Sequence, residues 1–387
     1  MSRLQLPRPG DALPPSKPKH RTAPSPSKGS ARPAAAAAAA GERRAKEQFE
    51  PLRRKFPGLR NLGNTCFAAA VLQVLYHRPG VVHPPAPAAK ADASEAAAPL
   101  PEALAALFSE MQEAEGRVVQ PYAFFQSLRQ AATGVSQLSE ARQHDAQEFF
   151  HFLLSGSAAS GGGGDAEPAA PTKRRRAAAG SEPEPVARAP EAAFGRQFEG
   201  RRLCATRCLE CETVTRRFET FVDISLSARS GASVVSALAD FTGRERLRGS
   251  NKFACSVCRA LTPAERWIEF DRLPALLTLH LQIFGYGADA KAATAIPTQL
   301  SLAPWCAAET ADAKYELYGL VCHRGSSPRS GHYYSYTRLG NQWVKCDDSS
   351  TAAVTTAEIR ALLQPLPTTS TRGASTPYLL MYQRTSV

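Results

Sequence analysis

No apolar stretch in this 387-residue chain approaches the roughly 18 residues that a membrane-spanning helix needs, so no membrane-embedded role is expected. The first residues also lack the apolar core of a secretory leader: basic residues give way to prolines and polar residues, and export is not expected. Repeats with a period of 20–50 residues are missing, which excludes a solenoid or propeller. Charge imbalance is missing from most of the chain. The formal net charge is +12, but residues 1–57 carry 13 Lys/Arg against 4 Asp/Glu, leaving +3 for everything beyond them. This describes a near-neutral globular region behind a basic tail. Such a tail could bind nucleic acid or an acidic partner such as an import receptor, or simply stay solvated.

What is present is enough apolar material for a core, 43% of residues, and nine cysteines. A secreted disulfide scaffold would be a short chain with a leader. Reduced thiols in the nucleus or cytoplasm, some of them metal ligands, fit better, and short basic runs favour the nucleus. Residues 1–55, rich in Pro, Ser, Ala and Lys, read as a disordered basic tail. A globular region is expected over 56–386. It is interrupted at 155–192 by a disordered insertion holding Gly161 to Gly164 and Lys173-Arg-Arg-Arg176, a candidate import signal. From Asn64 to Leu154 apolar residues recur at helical spacing, as in Leu104, Leu107, Phe108 and Met111. After Phe194 the pattern turns strand-like, as in Leu276 to Leu281 and Tyr315 to Cys322. Helices first and strands after predict an α+β fold with a mostly antiparallel sheet.

Three constellations carry chemistry. The first is Gly58-Leu-Arg-Asn-Leu-Gly-Asn-Thr-Cys66, a turn-rich stretch that opens an apolar helix with Asn64 or Thr65 as its N-cap. Cys66 then lies in the first helical turn, where unpaired N–H groups favour a thiolate. The bland reading is a small buried residue in an apolar helix.

The second is His332, which follows the glycine-bounded segment Gly325 to Gly331 and begins a strand. Gly340-Asn341 is a two-residue hairpin signal, so opposed positions sum to 681 and Asp347 lies diagonal to His332. A three-residue loop would bring Asp348 opposite instead. Either register offers the imidazole a carboxylate, as a cysteine nucleophile's base requires. An ordinary edge hairpin with a chance histidine is the alternative.

The third is Cys208-Leu-Glu-Cys211 with Cys255-Ser-Val-Cys258, two C-x-x-C knuckles that predict a closed, structural zinc site of four cysteines. Cys204 is a competing ligand.

Together these segments resemble the ubiquitin-specific protease family. The likeness extends to Gly331-His-Tyr-Tyr-Ser-Tyr336, Gln143-His-Asp-Ala-Gln-Glu-Phe149, Phe221-Val-Asp-Ile-Ser-Leu226 and Tyr378-Leu-Leu-Met-Tyr-Gln-Arg384. The resemblance implies a papain-like fold with a helical thumb, an antiparallel β palm and zinc-ribbon β fingers. It also implies thiol-dependent cleavage at the C-terminal glycine of ubiquitin on ubiquitinated proteins. Cys66 would be nucleophile and His332 base. Asp347 would orient the histidine with Asp348 as helper or alternate, and Asn61 would be an oxyanion donor. Asp145, Gln147, Glu148 and Tyr333 would form the substrate-binding set. Ala69 stands where the family usually has asparagine, and Gln282-Ile-Phe284 where it often has Lys-Arg-Phe; neither position performs chemistry. The rival readings are a catalytically inactive ubiquitin-binding scaffold, a protease for a ubiquitin-like modifier, and a zinc-ribbon nucleic-acid binder. The Gly325 to Gly331 segment is expected to be a loop across the cleft.

Overall fold

The computed structural model describes residues 31–78, 98–132, 143–156, 191–229, 231–284, 294–307, 313–327, 330–364 and 375–385. Helices come first: α1 (Ala31–Phe49), α2 (Cys66–Tyr76), α3 (Leu100–Glu113), α4 (Tyr122–Ala132), α5 (Ala146–Gly156) and the short α6 (Glu191–Arg196). The strand-rich part begins with β1 (Gly200–Cys208), β2 (Val214–Phe221) and β3 (Ile224–Ser227), followed by helix α7 (Val234–Thr242). It continues through β4 (Glu245–Leu247), β5 (Phe253–Cys255), β6 (Ala260–Thr262), β7 (Ala264–Arg272), β8 (Leu276–Gln282) and β9 (Gln299–Ser301). Last come β10 (Lys314–Ser327), β11 (Ser330–Leu339), β12 (Gln342–Asp347), β13 (Ser350–Val354), α8 (Thr356–Leu363) and β14 (Ser375–Arg384).

The central sheet has the order β13-β12-β11-β10-β14-β8-β3, with β9 added to β10. Its pairings are antiparallel except β3 with β8. A second sheet, β2-β1-β7-β4, and the hairpin β5-β6 carry the four knuckle cysteines at one end. The α+β expectation holds.

Helix α2 is buried along its whole length and rests on β11, β10, β12 and α5. Its run Cys66-Phe-Ala-Ala-Ala-Val-Leu-Gln-Val-Leu-Tyr76 is apolar all round, the pattern of a helix enclosed by protein. Phe67, Val71, Leu72, Val74 and Leu75 each contribute about 1.5–3 kcal/mol by burial, which anchors the helix start.

Two expectations are corrected. Residues 31–55, read as disordered, form α1 and a 3₁₀ turn over Glu50–Lys55. The alanine run is a strong helix former. Phe49 and Phe56 are buried together, ring centroids 5.8 Å apart, in a small cluster with Val344 and Cys346 of β12. Composition shows polarity and cannot show where two aromatic rings land. The segment from Gly325 to Gly331 is also different from the loop expected, because β10 runs to Ser327, β11 resumes at Ser330, and Ser327 pairs with Ser330. The expected insertion lies outside the described residues over 157–190, and so do residues 1–30; α5 extends to Gly156 and α6 begins at Glu191, trimming its ends.

Candidate active site

The turn before α2 is organised by one side chain. The Asn61 Oδ1 accepts from the Gly63 N–H (2.9 Å), the Thr65 N–H (3.2 Å) and the Thr65 hydroxyl (3.1 Å). Gly63 (φ 101°) and Asn64 (φ 56°) adopt left-handed conformations, which glycine and asparagine tolerate best. Thr65, not Asn64, takes the N-cap position, but its hydroxyl serves the preceding turn, accepting from the Leu62 N–H at 3.0 Å. Its carbonyl opens the helix by accepting from Ala68 and Ala69. Ala69, the position where asparagine was expected, is buried within α2. Cys66 is 1% exposed and begins the helix as the spacing predicted.

His332 comes from the opposite side on β11. The hairpin register is the one read from Gly340-Asn341: Ser335 pairs with Cys346 and Leu339 with Gln342. Gly340 at φ 59° occupies the first loop position, where a type II′ turn needs a positive φ. The diagonal geometry follows, and His332 Nε2 lies 2.6 Å from Asp347 Oδ1. The Cys66 thiol is the second group that acts on the same imidazole. The bond to Asp347 first, and the neighbouring Cys66 second, push the His332 pKa up to about 10 against the opposing effect of burial. Asp347 is held well below the usual carboxylate range by its bonds to His332 and Lys345, which outweigh burial.

Asp348 does not share the imidazole. It sits at φ 50°, and its Oδ2 accepts from Asn61 Nδ2 at 3.0 Å. Burial raises its pKa. Its carbonyl also accepts from the Leu59 N–H at 2.9 Å. Gly58 lies so close to Ser349 that an added Cβ would meet its carbonyl oxygen at 2.3 Å, so only glycine permits this crossing.

The expected substrate-binding residues divide. Asp145 is buried and caps α5: its Oδ1 accepts from the Gln147 and Glu148 N–H groups (2.7 and 3.3 Å) and its Oδ2 from the Tyr378 hydroxyl (2.5 Å). The resemblance placed it in the substrate-binding set; in the structure both its oxygens are engaged inside the protein. Glu148 is exposed. Gln147 donates to Asp223 Oδ2 at 3.0 Å. Tyr333 is wholly buried between His323 and Tyr378, so its side chain supports the site from beneath and does not line its surface. The strand's alternation turns it inward while His332 faces out.

Three residues went unnoticed as site members. Gln143 clamps the residue before the histidine, donating to the Gly331 carbonyl (2.5 Å) and accepting from the Gly331 N–H (2.7 Å). Asp223 receives Gln147 and His151, the latter at 2.7 Å, tying α5 to the start of β3. Lys345 donates to Asp347 Oδ2 at 2.7 Å. Gln143 stood inside a recognised motif and Asp223 before Ile224-Ser-Leu226, but pairing across 76 residues leaves no local signal.

At the end of the second sheet, Cys208, Cys211, Cys255 and Cys258 place their sulfurs within 4.8 Å of one another. The Cys208–Cys258 and Cys211–Cys255 separations are 3.8 and 3.6 Å. A tetrahedron with metal–sulfur bonds of about 2.3 Å has edges of about 3.8 Å, so the four residues fit a metal ion. Cys204 is not part of the group; it lies beside Glu219 and Arg202 on β1.

The family model for ubiquitin carboxyl-terminal hydrolase matches residues 57–382. The chain belongs to the ubiquitin carboxyl-terminal hydrolase family. It is a deubiquitinase of the cysteine type. It is 31% identical over 366 residues to ubiquitin carboxyl-terminal hydrolase 4 of Arabidopsis thaliana, covering 87% of this chain and 95% of that one. It is 27% identical over 352 residues to ubiquitin carboxyl-terminal hydrolase 12 of Salmo salar, covering 87% and 91%. Among solved structures it resembles the SAGA deubiquitinating module of Ubp8, Sgf11, Sus1 and Sgf73, bound to monoubiquitin. The TM-score is 0.63 at 22% identity, over 87% of this chain and 70% of that one, which concerns the fold. Among the described residues no helix is long and apolar enough to cross a membrane.

Proposed function

We propose that this hydrolase cleaves the bond after the C-terminal glycine of ubiquitin on ubiquitinated proteins, with Cys66 as nucleophile. The observation that supports this assignment of roles is the 2.6 Å bond between His332 Nε2 and Asp347 Oδ1, on an imidazole whose basicity Cys66 at the start of α2 also raises. The Cys66 proton passes to His332, and the thiolate adds to the scissile carbonyl carbon. The imidazolium then protonates the leaving amine as the C–N bond breaks, giving a thioester. Water, deprotonated by His332, releases the ubiquitin carboxylate and the thiol.

Asp347 fixes the ring through Nε2 and keeps the imidazolium favourable. Asn61 Nδ2 carries two hydrogens and gives one to Asp348, leaving the other for the developing oxyanion; such a donor is worth about 10²–10³ in rate. Glu148, exposed at the start of α5, is the carboxylate placed to meet a basic substrate tail. The four knuckle cysteines hold Zn²⁺, which would lock the end of the second sheet; four thiolates leave no position open for chemistry. The basic runs of the tail support nuclear import.

Hydrolysis of a fluorogenic C-terminal ubiquitin amide tests the reading. Wild type turns it over and Cys66→Ala does not. Binding of ubiquitin without turnover would instead identify a scaffold, and turnover only of a ubiquitin-like modifier's amide would reassign the substrate.

A further inference from the structure

Lys345 lies two residues before the carboxylate that orients His332, on the same strand and the same face. Its ammonium donates to Asp347 Oδ2 at 2.7 Å while Oδ1 of the same carboxylate faces His332 Nε2 at 2.6 Å. The two oxygens are thus divided between two cations. Lys345 is itself held, because its Nζ sits 4.3 Å from the centroid of the Tyr334 ring, a cation–π contact. Tyr334 is buried, stacks on His332 (6.2 Å, 21° between planes) and donates to Ser375 Oγ. Lys345, Asp347, His332 and Tyr334 therefore close a ring of contacts. Only 30% of the lysine side chain and 26% of the aspartate are exposed, so the pair is shielded more than a surface ion pair.

We propose that Lys345 is a positioning residue for catalysis, holding Asp347 so that one carboxylate oxygen is reserved for His332 and setting how basic the imidazole is. This rests on the assignment of Cys66 and His332 above. A carboxylate that accepts only one bond can rotate about its Cβ–Cγ bond and carry Oδ1 away from Nε2. A lysine on Oδ2 opposes that rotation. Electrostatics gives a second, opposite-signed consequence. A cation on Oδ2 draws charge from the carboxylate and repels the imidazolium, so Lys345 moderates the rise that Asp347 imposes on His332. The other groups facing the ring are Cys66 and Asp348, together with Arg324, which pairs with His332 across β10 and lies 6.0 Å from the Tyr334 centroid. None of these donates to Asp347 in the described residues, so the role belongs to Lys345.

The test is the pH dependence of Cys66 alkylation by iodoacetamide, with ubiquitin-amide turnover measured in parallel, for wild type, Lys345→Met and Lys345→Arg. Lys345→Met is expected to lower kcat/KM by about 10- to 100-fold through misplacement of the base. It should also move the alkaline limb of alkylation up by roughly 0.5–1 pH unit, since a neighbouring cation is gone. Lys345→Arg, which keeps the charge and the donor, restores most of both. An NMR titration of His332 in Lys345→Met reads the same shift without catalysis, provided the spectrum shows a folded protein. An unmoved alkaline limb in Lys345→Met overturns the proposal, whether activity is kept or lost, and so does a loss that Lys345→Arg fails to rescue. Failure of the wild type to cleave ubiquitin amide would count against the assigned substrate, while the alkylation profile would still decide the role of Lys345.

Discussion

Asn61 and Asp348 stand 287 positions apart in the chain and share a 3.0 Å hydrogen bond at the turn that leads into Cys66. The bond joins two turns that each hold left-handed residues, Gly63 and Asn64 on one side and Asp348 itself on the other. Through it, the turn that presents Cys66 and the turn that follows Asp347 become one unit. Asp348 is thereby bonded to Asn61, and the hydrogen bond to His332 comes from Asp347.

Removing either end of that bond should cost activity by different routes. Asn61→Ala loses the organiser of the turn and the oxyanion donor together, and kcat should fall about 10²- to 10³-fold. Asp348→Asn keeps an acceptor for Asn61 Nδ2 and should lose far less than Asp348→Ala. Steady-state kinetics on a ubiquitin C-terminal amide checks the order, and equal losses for Asp348→Asn and Asp348→Ala would show that the negative charge, not the bond, matters.

The His332–Asp347 pair predicts a pH window. His332 is raised from 6.5 to about 10, so its stabilising contribution is complete below 6.5 and is lost as pH rises through about 10. Asp347 is lowered from 3.8, so its contribution is complete above that value and fades as pH falls through its depressed folded value. The stability gap between wild type and Asp347→Asn should therefore be widest between about 4 and 6.5 and close above about 10. In the same variant the alkaline limb of Cys66 alkylation should fall from about 10 toward the ordinary histidine range. Thermal melts across pH and alkylation rates check the two halves separately.

Metal analysis should find one zinc per chain, with Cys208→Ala or Cys255→Ala reducing it to trace levels. A strong chelator should lower the melting temperature and expose backbone amides of β1, β5, β6 and β7 to exchange, while α2 keeps its protection. The four-cysteine group lies at the end of the second sheet and not on α2.

Phe49→Ala should destabilise the protein by roughly 3–5 kcal/mol, the scale for truncating a buried aromatic side chain. Its ring packs with Phe56 under Val344 and Cys346, the strand that ends in Asp347. Denaturant unfolding checks the loss. No change would mean that α1 does not hold this part of the sheet in solution.

Much of this site was legible because its signals are local. Gly340-Asn341 gave the hairpin register, and the register alone placed Asp347 diagonal to His332. Two C-x-x-C spacings gave the four cysteines that fit a metal ion, and a turn-rich stretch before an apolar run gave the helix start at Cys66. Contacts between distant segments were illegible. Nothing around Asp348 points to Asn61, and nothing around Phe49 points to Val344. Asp145 is harder to read, because a carboxylate just before a helix looks the same in sequence whether it meets a ligand or caps the helix. Lys345 escaped because a lysine in a strand is ordinarily a solvated residue.

The measurement that tests the central claim most directly is labelling with ubiquitin carrying a C-terminal thiol-reactive warhead, on wild type and Cys66→Ala. The account predicts a covalent adduct of one ubiquitin on wild type, mapped to Cys66 and absent from the variant. Folded, zinc-loaded wild type that forms no adduct, or an adduct that persists in Cys66→Ala, would contradict it.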